Sequence, residues 1–282
     1  MKIETILIFK KRASRRADFL ADKIASWATG KGIKTSLASG DAHGREKMAD
    51  LLVVLGGDGT FLSAVRYLGG MEIPVMGVNL GALGFLTEIA VEEIFQALEG
   101  LIRDEGLVEK RMTLAGEIIR GGEVIERFTV LNDVVFSKGA LARISELGVW
   151  VDGLFLTLYR ADGLIISTPT GSTAYSLSAG GPIVHPALPA IVLSPICPHA
   201  MSHRPIILGP QSVVEVRLKE MNGEVVVTLD GQSGLALEQN DMVRVHRSAS
   251  SVLLVRAPGR DYFSLLRTKL MWGDRLRTEG EN

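Results

Sequence analysis

The segment Leu51-Leu52-Val53-Val54-Leu55-Gly56-Gly57-Asp58-Gly59-Thr60 decides the fold of the chain. Its five consecutive apolar residues predict a strand that is buried on both faces. Two glycines then end the strand, and because glycine has no Cβ another molecule can approach the backbone closely there. Thr60 begins an amphipathic run, and we expect its hydroxyl to cap a helix. The segment therefore predicts a strand, a glycine turn and a helix N-terminus.

The glycine turn has the features of a phosphate site to which a carboxylate has been added. Main-chain amides and the helix dipole attract phosphate, so Gly56, Gly57 and Thr60 are predicted phosphate-loop residues. A carboxylate at such a place repels a phosphate ligand, so we expect Asp58 to have a functional role. It could hold Mg²⁺ or accept the proton of an attacking hydroxyl. A tight Asp-Gly turn in an ordinary α/β domain is the alternative. The segment has neither the Gly-Lys-Ser/Thr ending of a Walker loop nor the dinucleotide fingerprint G-x-G-x-x-G.

Composition excludes several classes of partner. The 282 residues suffice for two modest domains or one large one. Lys and Arg number 31 against 32 Asp and Glu, which argues against a nucleic-acid or anionic-membrane binder. No apolar run approaches the roughly 18 residues of a membrane helix. The single cysteine, Cys197, cannot form an internal disulfide, and this predicts a cytoplasmic protein.

The pattern of elements changes near residue 110. Before it, predicted strands at 3–9, 34–37, 51–55 and 74–78 alternate with predicted helices at 14–29, 60–68 and 91–102. This alternation predicts a parallel sheet with helices on its faces. After it, short β-rich runs separated by turn dipeptides predict an antiparallel β domain. A final helix is predicted at 262–272, followed by a disordered tail after Asp274.

Two polar segments are candidate ligand sites. Asn132-Asp133 separates two apolar β runs, and its amide and carboxylate could hold the vicinal hydroxyls of a ribose; the alternative is a polar hairpin turn. The segment 161–182 carries eight hydroxyl side chains among small residues, with Tyr175 as an aromatic wall. Such a cluster suits a flat base or a sugar, whereas a solvated loop has the same composition.

Other side chains leave two interpretations open. Cys197, His199 and His203 could bind zinc, but ordinary packing is the preferred interpretation. Arg143 and Arg160 are either surface charges or partners of a pyrophosphate. Gln232 lies in the turn Asp230-Gly231-Gln232, where its amide could meet a ligand.

Taken together, these residues resemble the NAD kinase family over nearly the whole chain. Gly56 to Thr60 matches a glycine-aspartate motif that diacylglycerol kinases and 6-phosphofructokinases share. The segment from Asp162 through Tyr175 to Pro186 matches a signature of NAD kinases alone. Supporting matches are Asn79 to Phe85, Asn132-Asp133, Pro195 to His199, Arg204-Pro205, Lys269-Leu270 and Trp272.

The resemblance implies a fold and an activity. The fold is an N-terminal α/β domain with a parallel sheet plus an all-β C-terminal sandwich, as in NAD kinases and diacylglycerol kinases. The first would cover 1–110 joined by the C-terminal helix segment 258–282, and the second 111–257. The implied activity is Mg²⁺-dependent transfer of the terminal phosphoryl group of ATP, or of polyphosphate, to the 2′-hydroxyl of the adenosine ribose of NAD. A homodimer or homotetramer is also implied.

The same resemblance implies residue roles. Asp58 would accept the proton, with Gly59 beside it at the substrate, and Phe85 would pack near adenine. Asn132 and Asp133 would hold sugar hydroxyls, although many members carry Glu at the second position. No protein side chain is assigned to a metal, since Mg²⁺ arrives with ATP. Further substrate-contact positions are Arg143, Arg160, Asp162, Thr170, Thr173, Ala174, Tyr175, Ser176, Leu177, Ser178, Cys197 and Gln232.

Two other functional classes remain as alternatives. A lipid kinase would share the glycine motif, but it should also present an apolar or basic membrane face, which the balanced charge of the chain does not favour. A non-enzymatic NAD sensor would keep the binding residues and lose the carboxylate, whereas Asp58 is present.

Overall fold

The computed structural model describes residues 2–38, 49–139, 145–200, 202–220 and 224–272. The loop predicted at 39–47, the tail predicted after Asp274 and Arg143 lie outside these residues. The chain forms two compact units. The first comprises Met1–Leu68, Glu72–Glu109 and Leu253–Asn282, and the second comprises Gly69–Met71 and Lys110–Val252.

The first unit is built on the predicted parallel sheet. Its strands are β1 (Thr5–Lys10), β2 (Lys34–Leu37), β3 (Leu51–Gly56) and β4 (Pro74–Asn79). They lie in the order β2-β1-β3-β4, and Leu253–Val255 run parallel to β4 on its other side. Every residue of β3 and β4 is buried, which confirms that the apolar runs mark strands covered on both faces.

Four helices belong to the first unit. They are α1 (Arg15–Gly30), α2 (Asp58–Leu68), α3 (Ile94–Ile102) and α4 (Tyr262–Leu270), and a short 3₁₀ turn, Val91–Glu93, precedes α3. The apolar faces of α1 and α3 pack with the sheet in one core that includes Ile24, Leu55 and Leu98. Helix α2 begins at Asp58, so the prediction that Thr60 caps this helix is wrong. Thr60 lies inside the first turn, and its N–H donates to the Gly57 carbonyl over 2.9 Å.

The second unit consists of antiparallel strands. They are β5 (Val108–Arg120), β6 (Glu123–Val130), β7 (Asp133–Lys138), β8 (Ser145–Val151), β9 (Leu154–Ala161), β10 (Gly163–Ser167), β11 (Ile191–Ile196), β12 (Ile206–Leu208), β13 (Val214–Glu220), β14 (Val225–Leu229), β15 (Ser233–Leu237) and β16 (Met242–Val255). One sheet has the order β12-β11-β10-β7-β14-β15. The other has the order β16-β13-β8-β9, and β5 pairs with β16 and β6. The last three residues of β16, Leu253–Val255, are the ones that run parallel to β4 and belong to the first unit.

The two sheets of the second unit enclose a shared core. Phe136 and Leu164 enter it from the first sheet, and Val149 and Val216 enter it from the second. Apolar side chains therefore fill the space between two antiparallel layers, the arrangement of a β-sandwich. The predicted fold class, an α/β domain followed by an all-β domain, is confirmed.

Candidate active site

Asp58 occupies the first position of α2, directly after the glycine turn, and is partly buried. Its Oδ1 accepts hydrogen bonds from the main-chain N–H of Leu86 (3.1 Å) and from the N–H and hydroxyl of Thr87 (3.0 and 2.9 Å). Among the residues that the structure describes, Oδ2 accepts one hydrogen bond, from the N–H of Phe85 (2.8 Å). Because a carboxylate oxygen has about two acceptor positions, Oδ2 is the atom with capacity for another donor.

Glycines let the main chain come close to this carboxylate. A Cβ at Gly84 would lie 2.0 Å from Asp58 Oδ1, and a Cβ at Gly56 would lie 2.3 Å from Thr60 Oγ1. Both positions therefore require glycine for space. A Cβ at Gly57 would meet no atom within 4 Å, so the start of α2 is open on that side.

The segment that binds Asp58, residues 80–87, is itself held by side chains from three elements; we call it the Asp58-binding loop. The anchoring bonds run from Arg16 Nη1 to the Leu80 carbonyl (2.8 Å), from Gly81 N–H to Asn79 Oδ1 (2.6 Å), from Asn79 Nδ2 to the Thr87 carbonyl (3.2 Å) and from Lys269 Nζ to the Leu83 carbonyl (2.6 Å). Asp58 is thus bound to a loop with several independent anchors.

The second unit contains a cavity of about 300 Å³, at the lower end of the range for small-molecule sites. Four predicted site residues line it: Asn132, Asp133, Ala174 and Tyr175. Its other lining residues are Val135, Ser137, Thr228, Asp230 and Gly231. The structure therefore brings the Asn132-Asp133 pair and Tyr175 together, as a sugar-and-base site would require.

Asp230 lines this cavity, although the sequence interpretation gave it no role beyond a turn. It lies in the turn between β14 and β15 with a φ of 50°. Its Oδ1 accepts from the N–H groups of Asn132 (2.7 Å) and Asp133 (3.2 Å), and its Oδ2 accepts from that of Leu131 (3.0 Å). Asp230 therefore fixes the backbone that carries the predicted ribose-binding pair.

Asp133 carries a buried carboxyl group beside that second acid. Its residue surface is 3% exposed. Burial raises the pKa of Asp133 to about 7, and the negative charge of Asp230 adds to the rise. The cavity therefore contains a carboxyl group that changes its charge near neutral pH.

Most hydroxyl groups of the segment 161–182 turn inward. Ser167, Thr168, Thr170, Ser172 and Ser176 are buried. Thr168 Oγ1 donates to the Leu131 carbonyl (2.6 Å), Ser172 Oγ donates to the Pro169 carbonyl (2.6 Å), and the Ser176 and Ser194 hydroxyls share a hydrogen bond (2.9 Å). These groups stabilise the segment itself, which contains a 3₁₀ turn (Thr170–Thr173) and a short helix (Tyr175–Ser178), whereas the Tyr175 side chain is 47% exposed at the cavity.

The other predicted contacts do not line this cavity. Arg160 is exposed and paired with Glu146 (2.6 Å), and Asp162 is paired with Lys138 (2.7 Å). Thr173 and Leu177 are partly buried, Ser178 and Cys197 are exposed, and Gln232 is the last residue of the β14–β15 turn. Gly59 lies in the first turn of α2, and the Phe85 ring lies 5.8 Å from Lys269 Nζ.

The zinc alternative receives no support. In the portion of the chain that is described, no three or more His, Cys, Asp or Glu residues are grouped to hold a metal ion. His203 instead packs its ring against Tyr159, with 4.8 Å between centroids, and its Nε2 lies 3.5 Å from Thr157 Oγ1. Across 2–38, 49–139, 145–200, 202–220 and 224–272, no helix has the length and apolar character needed to cross a membrane.

Comparison with known proteins identifies the class. A family model described as the ATP-NAD kinase N-terminal domain matches residues 6–106, and one described as the ATP-NAD kinase C-terminal domain matches residues 131–257. Together these matches define a phosphotransferase enzyme. The chain belongs to the NAD kinase family.

Individual relatives agree with this assignment. The NAD kinase of Geobacter sulfurreducens is 47% identical over 284 residues, covering 97% of this chain and 100% of the relative. That of Geotalea daltonii is 45% identical with the same coverage. Yeast NADH kinase complexed with NADH superposes with a TM-score of 0.84 at 26% identity, covering 96% of this chain and 88% of the yeast chain. An Archaeoglobus fulgidus NAD kinase in complex with ATP shares the fold, with a TM-score of 0.77 at 23% identity over 94% of this chain and 99% of that one.

Proposed function

We propose that the protein transfers the terminal phosphoryl group of ATP, or of polyphosphate, to the 2′-hydroxyl of the adenosine ribose of NAD, giving NADP. Family membership supports the substrate pair. The observation that carries the chemistry is the Asp58 carboxylate at the start of α2, whose Oδ2 accepts a single hydrogen bond. We assign that oxygen to the ribose hydroxyl.

Asp58 orients the nucleophile and then takes its proton. The hydroxyl oxygen forms a bond to the terminal phosphorus while the bond from that phosphorus to the bridging oxygen breaks, so ADP leaves with the bond's electron pair. A carboxylate is too weak a base to deprotonate an alcohol early. In a loose transition state the proton leaves late, when the oxygen has become acidic, and Oδ2 receives it.

The glycine turn would meet the donor phosphates. Gly57 leaves the start of α2 open, and a helix N-terminus favours negative charge. We treat Mg²⁺ as part of the MgATP substrate, where it neutralises phosphate charge. Mg²⁺ in such enzymes is usually held by substrate phosphates and one or two carboxylates.

NAD recognition is assigned to the second unit. Asn132 and Asp133 would hold ribose hydroxyls, and Tyr175 would form an aromatic wall of the cavity.

Residues 1–110 with 258–282 are proposed as the catalytic domain and 111–257 as the NAD domain. Further proposed contacts are Gly56, Gly59, Thr60, Phe85, Arg143, Arg160, Asp162, Thr170, Thr173, Ala174, Ser176, Leu177, Ser178, Cys197 and Gln232. A homodimer or homotetramer is proposed, to be tested by light scattering.

The decisive experiment incubates the purified protein with MgATP and NAD and measures NADP with an NADP-specific dehydrogenase. We expect NADP to form, and we expect Asp58→Asn to lower the rate about 10²- to 10⁴-fold. Asp18→Asn is the matched control, because Asp18 also lies in the first turn of a helix but is exposed and paired with Lys10. NAD binding without NADP would indicate a sensor, and phosphorylation of diacylglycerol instead would indicate a lipid kinase. Parallel assays with polyphosphate identify the donor.

A further inference from the structure

A side chain of the C-terminal helix reaches the Asp58-binding loop. Lys269, partly buried near the end of α4, donates from Nζ to the Leu83 carbonyl over 2.6 Å, and Nζ lies 5.8 Å from the centroid of the Phe85 ring. The helix that carries it is well anchored. Asp261 caps α4 by accepting from Ser264 N–H (2.9 Å), and the buried Leu265 fixes its inner face.

The Leu83 carbonyl lies immediately before the part of the loop that binds Asp58. Gly84 follows it, and there a Cβ would come within 2.0 Å of Asp58 Oδ1, so the two segments are in close contact. The next residue, Phe85, donates the one hydrogen bond that Oδ2 accepts. A shift of the Leu83 carbonyl therefore moves the peptide that orients Oδ2.

The other anchors of the loop differ from Lys269 in position or in charge. Arg16 holds the Leu80 carbonyl at the beginning of the loop, and the neutral Asn79 side chain binds Gly81 N–H there and the Thr87 carbonyl at its end. Among the side-chain bonds to the loop in the described chain, that of Lys269 is the cationic one nearest to Phe85. Since hydrogen bonds to charged groups are stronger than neutral ones, its loss should matter more than that of a neutral contact.

We propose that Lys269 is a positioning residue: by binding the Leu83 carbonyl, it sets the Phe85 amide and thereby the orientation of Asp58 Oδ2. The expected effect of Lys269 on the rate of NADP formation rests on the proposed function, whereas its expected effect on the position of the Asp58-binding loop does not. Lys269 acts through the Asp58-binding loop and is given no contact with the reacting atoms.

The test compares three variants. Lys269→Met keeps an apolar side chain and removes the ammonium group, and Lys269→Arg restores a cationic donor. Lys31→Met is the matched control, because Lys31 also lies 5.8 Å over an aromatic ring, that of Trp27, and pairs with Glu99 at 3.5 Å, without touching the loop. Hydrogen exchange of the amides of residues 85–87 and the kinetics of NADP formation are measured for each.

We expect Lys269→Met to speed exchange at residues 85–87 by about 10- to 100-fold, the range that loss of a charge-assisted hydrogen bond implies. We expect kcat to fall by about tenfold with little change in the KM for ATP, Lys269→Arg to recover most of both, and Lys31→Met to match the wild type. Unchanged exchange at 85–87 would overturn the proposal, as would an equal rise at all amides of the first unit. If the wild type makes no NADP, the proposed function fails, but the exchange data still decide the role of Lys269.

Discussion

Replacing Asp133 by Asn should stabilise the protein at neutral and alkaline pH while it weakens NAD binding. The folded state raises the pKa of Asp133 to about 7 because the carboxyl group is buried and lies near the charge of Asp230. In the unfolded chain the pKa of an aspartate is about 3.9. Between these values the folded protein binds a proton that the unfolded chain does not, so stability falls as pH rises through this window.

The size of the effect follows from the pKa difference. About three pKa units, at about 1.4 kcal/mol each, correspond to about 4 kcal/mol of stability lost between pH 4 and pH 7. Asn has nearly the same shape and stays neutral, so the variant avoids this loss. Carboxyl groups whose pKa is lowered by folding have the opposite effect on the pH dependence of stability. The pKa of Asp261 is lowered chiefly by its hydrogen bond from the Ser264 amide, and its contribution is lost as pH falls.

Comparing variant with wild type at each pH isolates the contribution of Asp133. Urea unfolding between pH 5 and pH 8.5 should show the advantage of Asp133→Asn growing by about 1.4 kcal/mol per unit until pH 7 and then levelling. Asp18→Asn, at an exposed carboxylate, serves as the control. An advantage that is independent of pH would refute the reasoning. Calorimetry on the same samples should show weaker NAD binding to Asp133→Asn above pH 7, where the wild-type group is an ionised acceptor.

Three further substitutions test separate parts of the structure. Gly84→Ala places a Cβ 2.0 Å from Asp58 Oδ1 and should lower NADP formation about 10²-fold with the fold retained by circular dichroism. Arg256→Met leaves the carboxylate of Glu88, 1% exposed, without its guanidinium partner and should cost about 3–5 kcal/mol in urea unfolding. Asp230→Asn exchanges an acceptor for a donor facing the 131–133 backbone, and calorimetry should show about tenfold weaker NAD binding.

The central strands of the first unit could be predicted from the sequence because they are covered on both faces. A strand that is buried throughout appears as an unbroken apolar run, and 51–55 and 74–78 are such runs. Helix ends were harder to place. The helix predicted at 60–68 begins at Asp58, since its first turn contains the glycine that normally argues against a helix.

The second unit was predicted as a class but not strand by strand. Strand β11 was missed because Pro195 lies within it, although β11 pairs with β10 opposite Leu164. Strand β12 has three residues, too few for a periodic pattern. Strand β16 is longer than the short runs that the sequence predicts. Its polar residues 247–251 suggest a turn, whereas their side chains lie in partly buried and exposed positions along one continuous strand.

Two of the four Asp-Gly dipeptides in the sequence show why one candidate site residue was predicted and another was missed. Asp58-Gly59 and Asp230-Gly231 have the same local pattern, which predicts a tight turn in each case. Both carboxylates in fact accept three consecutive main-chain amides, Asp58 from residues 27–29 positions later and Asp230 from residues 97–99 positions earlier. No local pattern specifies such distant partners.

What distinguishes the two acids is therefore their surroundings. Asp58 begins a helix beside the open Gly57, where a phosphate can approach, and its Oδ2 has capacity for another donor. Asp230 lies against a second buried acid, Asp133, and raises the pKa of that group. Because an uncharged Asn at 133 would relieve that repulsion, the stability of the fold at neutral pH does not account for a carboxyl group at this position, whereas the proposed contact with the ribose would account for it.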